Sequence, residues 1–397
     1  MKLPTLFIFI TIIVNTLFAS LSVIGQTSNK ADSGSYTLHT ERIQSEVLNE
    51  ERTVTVQLPK SYDKNPDKKY PVIYRLDGAT NLVMMNAVLE SLQAQSAAPE
   101  VIIVAIENTE RLRDLYPTVN RDPNGPVGIG GGGANFLNFI TTELMPVIES
   151  KYRVHDFRVI AGASAAGVFS LYAVQKNPAL FDAALAYSPA VWWNYGATGK
   201  TTVAFLKNAT ALDHFIYTAI GNEAAPMRSY YDNMIVGIKE NQPKGLRWVN
   251  ETFENVPHNL VSSAAGFSAY HNLFYSEFMQ PHHYDGSLSS IEEYYKNVSN
   301  QRGEHIEAAE WIIRELGYYY VNQQNFEEAT KLFKYGIEHY PNSPDAYNGL
   351  AYGYEQSGQY RKSLEQVNKA LSLASEDYDG YGVYVARKDR LTKLLQK

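Results

Sequence analysis

This sequence predicts an α/β domain followed by an all-α region, on three observations. From about residue 36 to 280, short β-branched runs alternate with helix-length segments of 3.6-residue period, the order expected of a mostly parallel central sheet in a three-layer sandwich. After about residue 306 the chain changes character and repeats itself every 34 residues. The length of 397 residues, at about 150 per domain, accommodates two or three such units.

Composition narrows the function classes. Hydrophobic residues make up 45% and charged residues 19%, enough apolar side chains for a large core. The formal net charge of -7 supplies no positive field for a phosphate backbone, so nucleic acid is not an expected partner. With no Cys, disulfides, thiolate metal sites, Fe-S clusters, a Cys nucleophile and a Cys-linked lipid are all excluded.

Residues 1–25 have one cation, Lys2, an apolar stretch rich in Leu, Ile and Phe, then small residues, the pattern of a secretory signal peptide cleaved just before Gln26. Ala19 and Ser20 offer an earlier cleavage site. The run is long enough to span a bilayer, so an uncleaved anchor is the alternative, and membrane association is expected only then. Both readings put the folded part outside the cytoplasm, periplasmic or secreted.

Strands are expected over TVTVQLP (53–59), YPVIYRLDG (70–78), VIIVAIEN (101–108), FRVIAGAS (157–164), AALAYSP (183–189), HFIYTAIGN (214–222) and LRWVNETFENV (246–256). The clearest helix places Phe136, Ile140, Leu144, Val147 and Ile148 on one face, which should cover the sheet. The 109–133 loop is unusually long, and loops of that length are usually functional or mobile. Beyond a linker at 286–305, Leu316, Gly317, Tyr320, Phe326, Ala329, Phe333 and Pro341 follow the tetratricopeptide pattern of paired helices. Leu350, Ala351, Tyr354, Tyr360, Ser363 and Val367 repeat it, and a degenerate unit from about 378 reads as a capping helix. The domains are thus expected at 36–285 and 306–397.

Gly162-Ala163-Ser164-Ala165-Ala166-Gly167 lies between a strand and a helix candidate and reads as a nucleophile elbow: a sharp strand-to-helix turn exposes the Ser hydroxyl, and small residues two positions away avoid clashes. Ala166 adds a methyl where Gly is favoured, and Gly167 is expected to relieve the crowding. Around this elbow, FRVIAGASAAGVFSLYAVQKNPALFDAALAYSPAVWW, together with YPVIYRLDG, RLRDLYP, the Gly-rich run into ANFLNFITTELMPVIESKYRV, and IGNE, resembles the enterochelin-esterase-like family of α/β-hydrolases over about residues 40 to 280. The chain departs from that family at Ala163, where a His is common, and at Ala166, where Gly is usual. The resemblance implies a serine esterase needing no cofactor and acting on siderophore lactones, thioesters or acyl groups on plant polysaccharides.

In this fold the order is Ser, acid, His. His258, in the loop NVPHNLVSS after the last strand, matches the family's catalytic His. His214 opens a strand, His271 sits in a helix candidate, His305 and His339 belong to the repeats, and the pair His282 and His283 has no acidic partners for a metal. Glu223, in IGNEAAPM, fits the acid position, with Asp232 the alternative. The oxyanion donors are expected to be the backbone amides of Ala165 and of Ala79 in Leu76-Asp77-Gly78-Ala79.

Gly128 to Gly133 fits G-x-G-x-x-G but follows a Pro-containing loop instead of a strand, which favours a flexible lid over a dinucleotide cradle. Arg111, Arg113 and Asp114 read either as an anion contact or as a buried tie at a loop base. Trp192 and Trp193 read either as a pocket wall or as core packing. The expectation is an exported serine carboxylic-ester hydrolase, acting on small-molecule or carbohydrate esters through Ser164, His258 and Glu223. Two rivals share the sequence features: an acyltransferase using the same acyl-enzyme, and an inert hydrolase shell whose repeats recruit a protein partner.

Overall fold

The computed structural model describes residues 36–396; the expected signal segment lies outside the described residues. Eight strands form one sheet: β1 Thr37–Ser45, β2 Glu50–Leu58, β3 Tyr70–Leu76, β4 Ile102–Ile106, β5 Val154–Ala163, β6 Ala183–Tyr187, β7 Phe215–Ile220 and β8 Arg247–Thr252. The spatial order is β1-β2-β4-β3-β5-β6-β7-β8. Pairs β1–β2 and β2–β4 are antiparallel and all others parallel. Each of the seven expected runs is a strand. The eighth, β1, is an edge strand whose sequence, TLHTERIQS, is mostly exposed and polar, so it carries no apolar run to betray it.

β3, β4, β6 and β7 are buried at every position because helices cover both faces. Period-2 alternation sends Val72, Tyr74 and Leu76 into one core and Ile73 into the other. The second face is covered by α1 Leu82–Gln93. The first is covered by α2, which runs Gly133–Phe139, passes through a π turn at Ile140–Leu144 and continues as Met145–Lys151. Phe136, Ile140, Leu144 and Ile148 of α2 are buried and Val147 is half-buried against them, the expected stripe. Each fully buried side chain of this size contributes roughly 1.5–3 kcal/mol. The π turn carries Glu143, whose carboxylate accepts from the backbone N–H of Glu46 at 2.9 Å and of Val47 at 3.1 Å, pinning the β1–β2 turn.

Four more helices complete the sandwich: α3 Ala165–Lys176, α4 Trp193–Asn208, α5 Met227–Glu240 and α6 Gly266–Leu273. The segment expected to link the two regions is mostly helix, α7 Leu288–Arg302, because Ile291, Tyr294, Tyr295 and Val298 recur at helical spacing and are buried. α8 Glu310–Asn322 and α9 Phe326–His339 form one antiparallel hairpin; α10 Pro344–Gln356 and α11 Tyr360–Leu373 repeat it 34 positions later; α12 Tyr381–Leu395 closes the stack. Small residues sit where helices meet closely: a Cβ on Gly317 would lie 2.4 Å from the Phe333 ring. Among the described residues, no helix is long and apolar enough to cross a membrane.

Candidate active site

Five chain segments, which leave the C-terminal ends of β4, β5, β6, β7 and β8, converge on one cleft, as expected for a site on an open α/β sheet. At the end of β5, Ser164 has φ 60° and ψ -119°, outside the regions that L residues favour. Two backbone bonds hold the turn: Ser164 N–H donates to Tyr187 O at 2.9 Å, and Ala190 N–H donates to Ser164 O at 3.1 Å. Ala166 fits here because Gly162 opposite lacks a side chain; a Cβ on Gly162 would come 2.4 Å from the Ala166 methyl. Gly167, expected to supply that relief, instead packs against Pro189. Ala165 opens α3, where the first N–H groups have no intrahelical acceptor and the dipole favours negative charge.

Ser164, Glu223 and His258 line one open cleft of about 390 Å³, together with Tyr116, Ala190, Trp192, Ala224 and Met227. His258 Nδ1 lies 2.9 Å from Glu223 Oε1, with Glu223 buried at 6% side-chain exposure and His258 at 42%. Ser188, just past β6, donates its hydroxyl to the same Glu223 oxygen at 2.5 Å. Burial pushes the Glu223 carboxyl up, but the hydrogen bonds from Ser188 and His258 outweigh it and hold the group below the usual carboxylate range. An anionic Glu223 fixes the ring with Nδ1–H toward the acid and frees Nε2 to act as a base.

The other candidates lie elsewhere. Asp232 is half-exposed on α5 and bound by Arg228 at 2.9 Å. His214 is tied to Pro178 O at 2.6 Å, His271 stacks on Phe267, and His305 pairs with Glu307 at 2.8 Å. His282 and His283 pack on each other, and among the described residues no cluster could hold a metal.

Just past β3, Asp77 adopts φ 65° and is clamped by Arg111, whose Nε and a terminal nitrogen reach the two carboxylate oxygens at 2.7 and 2.9 Å. Arg113 and Arg52 tie Glu50 and Asp114 together behind it. Arg111, Arg113 and Asp114 are thus all engaged in guanidinium–carboxylate pairs, with Asp114 buried and both arginines partly exposed. The Gly-rich run is neither a phosphate cradle nor a free lid. Val119 pairs with Gly130, Asn120 is fully buried, and the 116–131 loop is bonded to the start of α4 through Trp193 Nε1–H to Thr118 O at 2.8 Å and Asn194 N–H to Asn120 Oδ1 at 3.1 Å. Its glycines are needed for contact, since a Cβ on Gly130 would come 2.7 Å from Thr118 O. Trp193 stacks on Tyr116 at 3.7 Å as packing, while Trp192 walls the cleft. Ser188 carries no motif in the sequence; its position after the strand beside the elbow is the only signal that could have marked it.

A family model described as "Putative esterase" matches residues 45–234. The uncharacterized protein YbbA of Bacillus subtilis is 29% identical over 43% of this chain and 68% of its own length. The siderophore enterobactin esterase of Emericella nidulans is 30% identical over 36% of this chain and 54% of its own length, so the chain spans about half of that relative. Among solved structures, an IroE-like serine hydrolase from Shewanella oneidensis superposes with a TM-score of 0.60 at 24% identity, over 77% of this chain and all of that one, a likeness of fold.

Proposed function

We propose that this chain, an esterase by its family match and its siderophore-esterase relative, is a serine carboxylic-ester hydrolase that works through a Ser164-His258-Glu223 triad. The observation that carries the reading is the convergence of these three residues in one cleft, with the buried Glu223 on His258 Nδ1. Ser164 Oγ attacks the ester carbonyl carbon while His258 Nε2 takes its proton. Glu223 stabilises the resulting imidazolium. The Ala165 and Ala79 amides receive the charge on the carbonyl oxygen. Collapse of the tetrahedral intermediate expels the alcohol, which takes the proton from His258 and leaves an acyl group on Ser164. A water molecule, deprotonated by His258, then releases the acid.

Tyr116, Trp192 and Met227 give the cleft apolar walls, which suit siderophore or carbohydrate esters with a flat or apolar acyl part. We assign residues 36–285 to the esterase domain, 286–305 to a connecting helix and 306–397 to tetratricopeptide repeats with a capping helix, a surface for a protein partner. Export through cleavage of residues 1–25 completes the proposal. The test is labelling of the purified chain with a fluorophosphonate probe, which should phosphonylate Ser164 and fail in Ser164→Ala and His258→Ala. Ester hydrolysis should fall at least about a thousandfold in Ser164→Ala, and unchanged hydrolysis would exclude the mechanism.

A further inference from the structure

We propose that Glu107 is a latch on the oxyanion hole, a residue that sets how easily a substrate carbonyl can enter. The inference rests on the serine-esterase reading above and deepens it. The Ala79 N–H, one of the two amides assigned to the oxyanion, is not free: it donates to Glu107 Oε1 at 3.2 Å. The carboxylate lies directly on the neighbouring glycine, for a Cβ on Gly78 would fall 2.1 to 2.7 Å from the Glu107 carboxyl atoms. Gly78 has φ +68°, so only its missing side chain and its left-handed backbone let the carboxylate approach.

Glu107 has no charged partner to explain its position. Arg52 bonds to its backbone carbonyl, and Arg111 is committed to Asp77, so among the described residues no cation pairs with its half-buried carboxylate. Its side chain is bonded to the amide that the mechanism needs. A carboxylate oxygen bears partial negative charge and resembles the oxyanion for which such donors are arranged, so it competes for the same N–H. A substrate carbonyl must displace it by rotation of the Glu107 side chain before both amides can act. The two-donor site is therefore assembled only in the complex, and plain esters that merely fill the cleft react more slowly than the geometry of Ser164 and His258 would allow.

The experiment compares the full chain with Glu107→Ala and Glu107→Gln, following both the rate of fluorophosphonate labelling of Ser164 and the hydrolysis of p-nitrophenyl butyrate. Glu107→Ala frees the amide and should raise both rates about tenfold, the worth of one charge-assisted hydrogen bond. Glu107→Gln keeps the shape and a weaker, neutral acceptor and should give a smaller rise, which also guards against a misfolded alanine variant. Equal or lower rates in folded variants would overturn the latch and make Glu107 a brace for the 77–79 turn. If neither the full chain nor the variants label at Ser164, the nucleophile reading itself fails and the latch with it, a result distinct from labelling at equal rates.

Discussion

The Ser188 hydroxyl donates to the Glu223 oxygen that also faces His258, while Glu223 Oε2 is buried without a partner, so the acid depends on two donors to one atom. Ser188→Ala should therefore leave substrate binding intact and let Glu223 and the ring drift. We expect kcat to fall about tenfold with little change in KM, since a hydrogen bond to a charged group is worth roughly 1.5–3 kcal/mol and only part of that is lost from the transition state. Steady-state kinetics on a chromogenic ester would check it; a change in KM alone would contradict it. At the elbow, Gly162→Ala would place a methyl 2.4 Å from the Ala166 methyl and 2.6 Å from its backbone carbonyl carbon. The cost of such overpacking is about 1–3 kcal/mol, read as a lower denaturation midpoint, and Ala166→Gly should restore only part of it because the backbone contact remains. The elbow and the His258 loop were legible in the sequence because an exposed Ser hydroxyl demands small neighbours and because chain order limits the base. Ser188 and Glu107 were not, since each acts through a contact between strand ends that only the folded sheet creates.

Strand β2, the short helix Arg111–Leu115 and the Asp77 turn are joined by one network of ion pairs. Its centre is Glu50, which accepts from Arg113 at 2.6 Å and from Arg52 at 2.9 Å. The hydrogen bond from Arg113 is the main cause that holds the Glu50 carboxyl below its ordinary value, against some burial that raises it. A carboxyl depressed in the folded state stabilises the fold above its unfolded value, about 4.3–4.5, and that contribution disappears as pH falls through the lower folded value. Urea unfolding followed from pH 7 to pH 3 should show this loss below about pH 4.5. In Glu50→Gln stability should be lower at pH 7 and the acid slope shallower; parallel curves would count against the coupling. The same elements show why sequence reading works unevenly. Buried parallel strands such as β3 and β4 declare themselves as unbroken apolar runs, whereas the edge strand β1 and the tied 116–131 loop owe their structure to hydrogen bonds with distant segments.

At the scale of the whole molecule, α7 belongs to both halves. Toward the sheet, Arg302 donates to Ser96 O at 2.8 Å and pairs with Glu277 at 3.1 Å, Gln301 bridges Leu273 O and Tyr275 N–H, and the Tyr294 and Tyr295 hydroxyls reach Ser276 O and Glu277 O at 2.8 Å each. Toward the helical stack, Ile291, Tyr294, Tyr295 and Val298 share a core with Ile312, Ile313, Leu316 and Leu332. The periodicity of this segment was visible in the sequence, but its two-sided docking was not, because each face is completed by residues far away in the chain. The helical stack is thus bolted to the α/β domain rather than tethered to it. Shortened chains follow from that arrangement. One ending at 303 keeps every α7 contact with the sheet and should retain probe labelling at Ser164, at the cost of an exposed apolar face. One ending at 286 loses Arg302, Gln301 and both tyrosines together. Its melting temperature should lie roughly 5–10 °C below that of the longer fragment, as expected for a loss of a few kcal/mol in a domain of this size. Equal melting temperatures, measured by circular dichroism, would mean that α7 serves only the helical stack and that the two halves are mechanically independent.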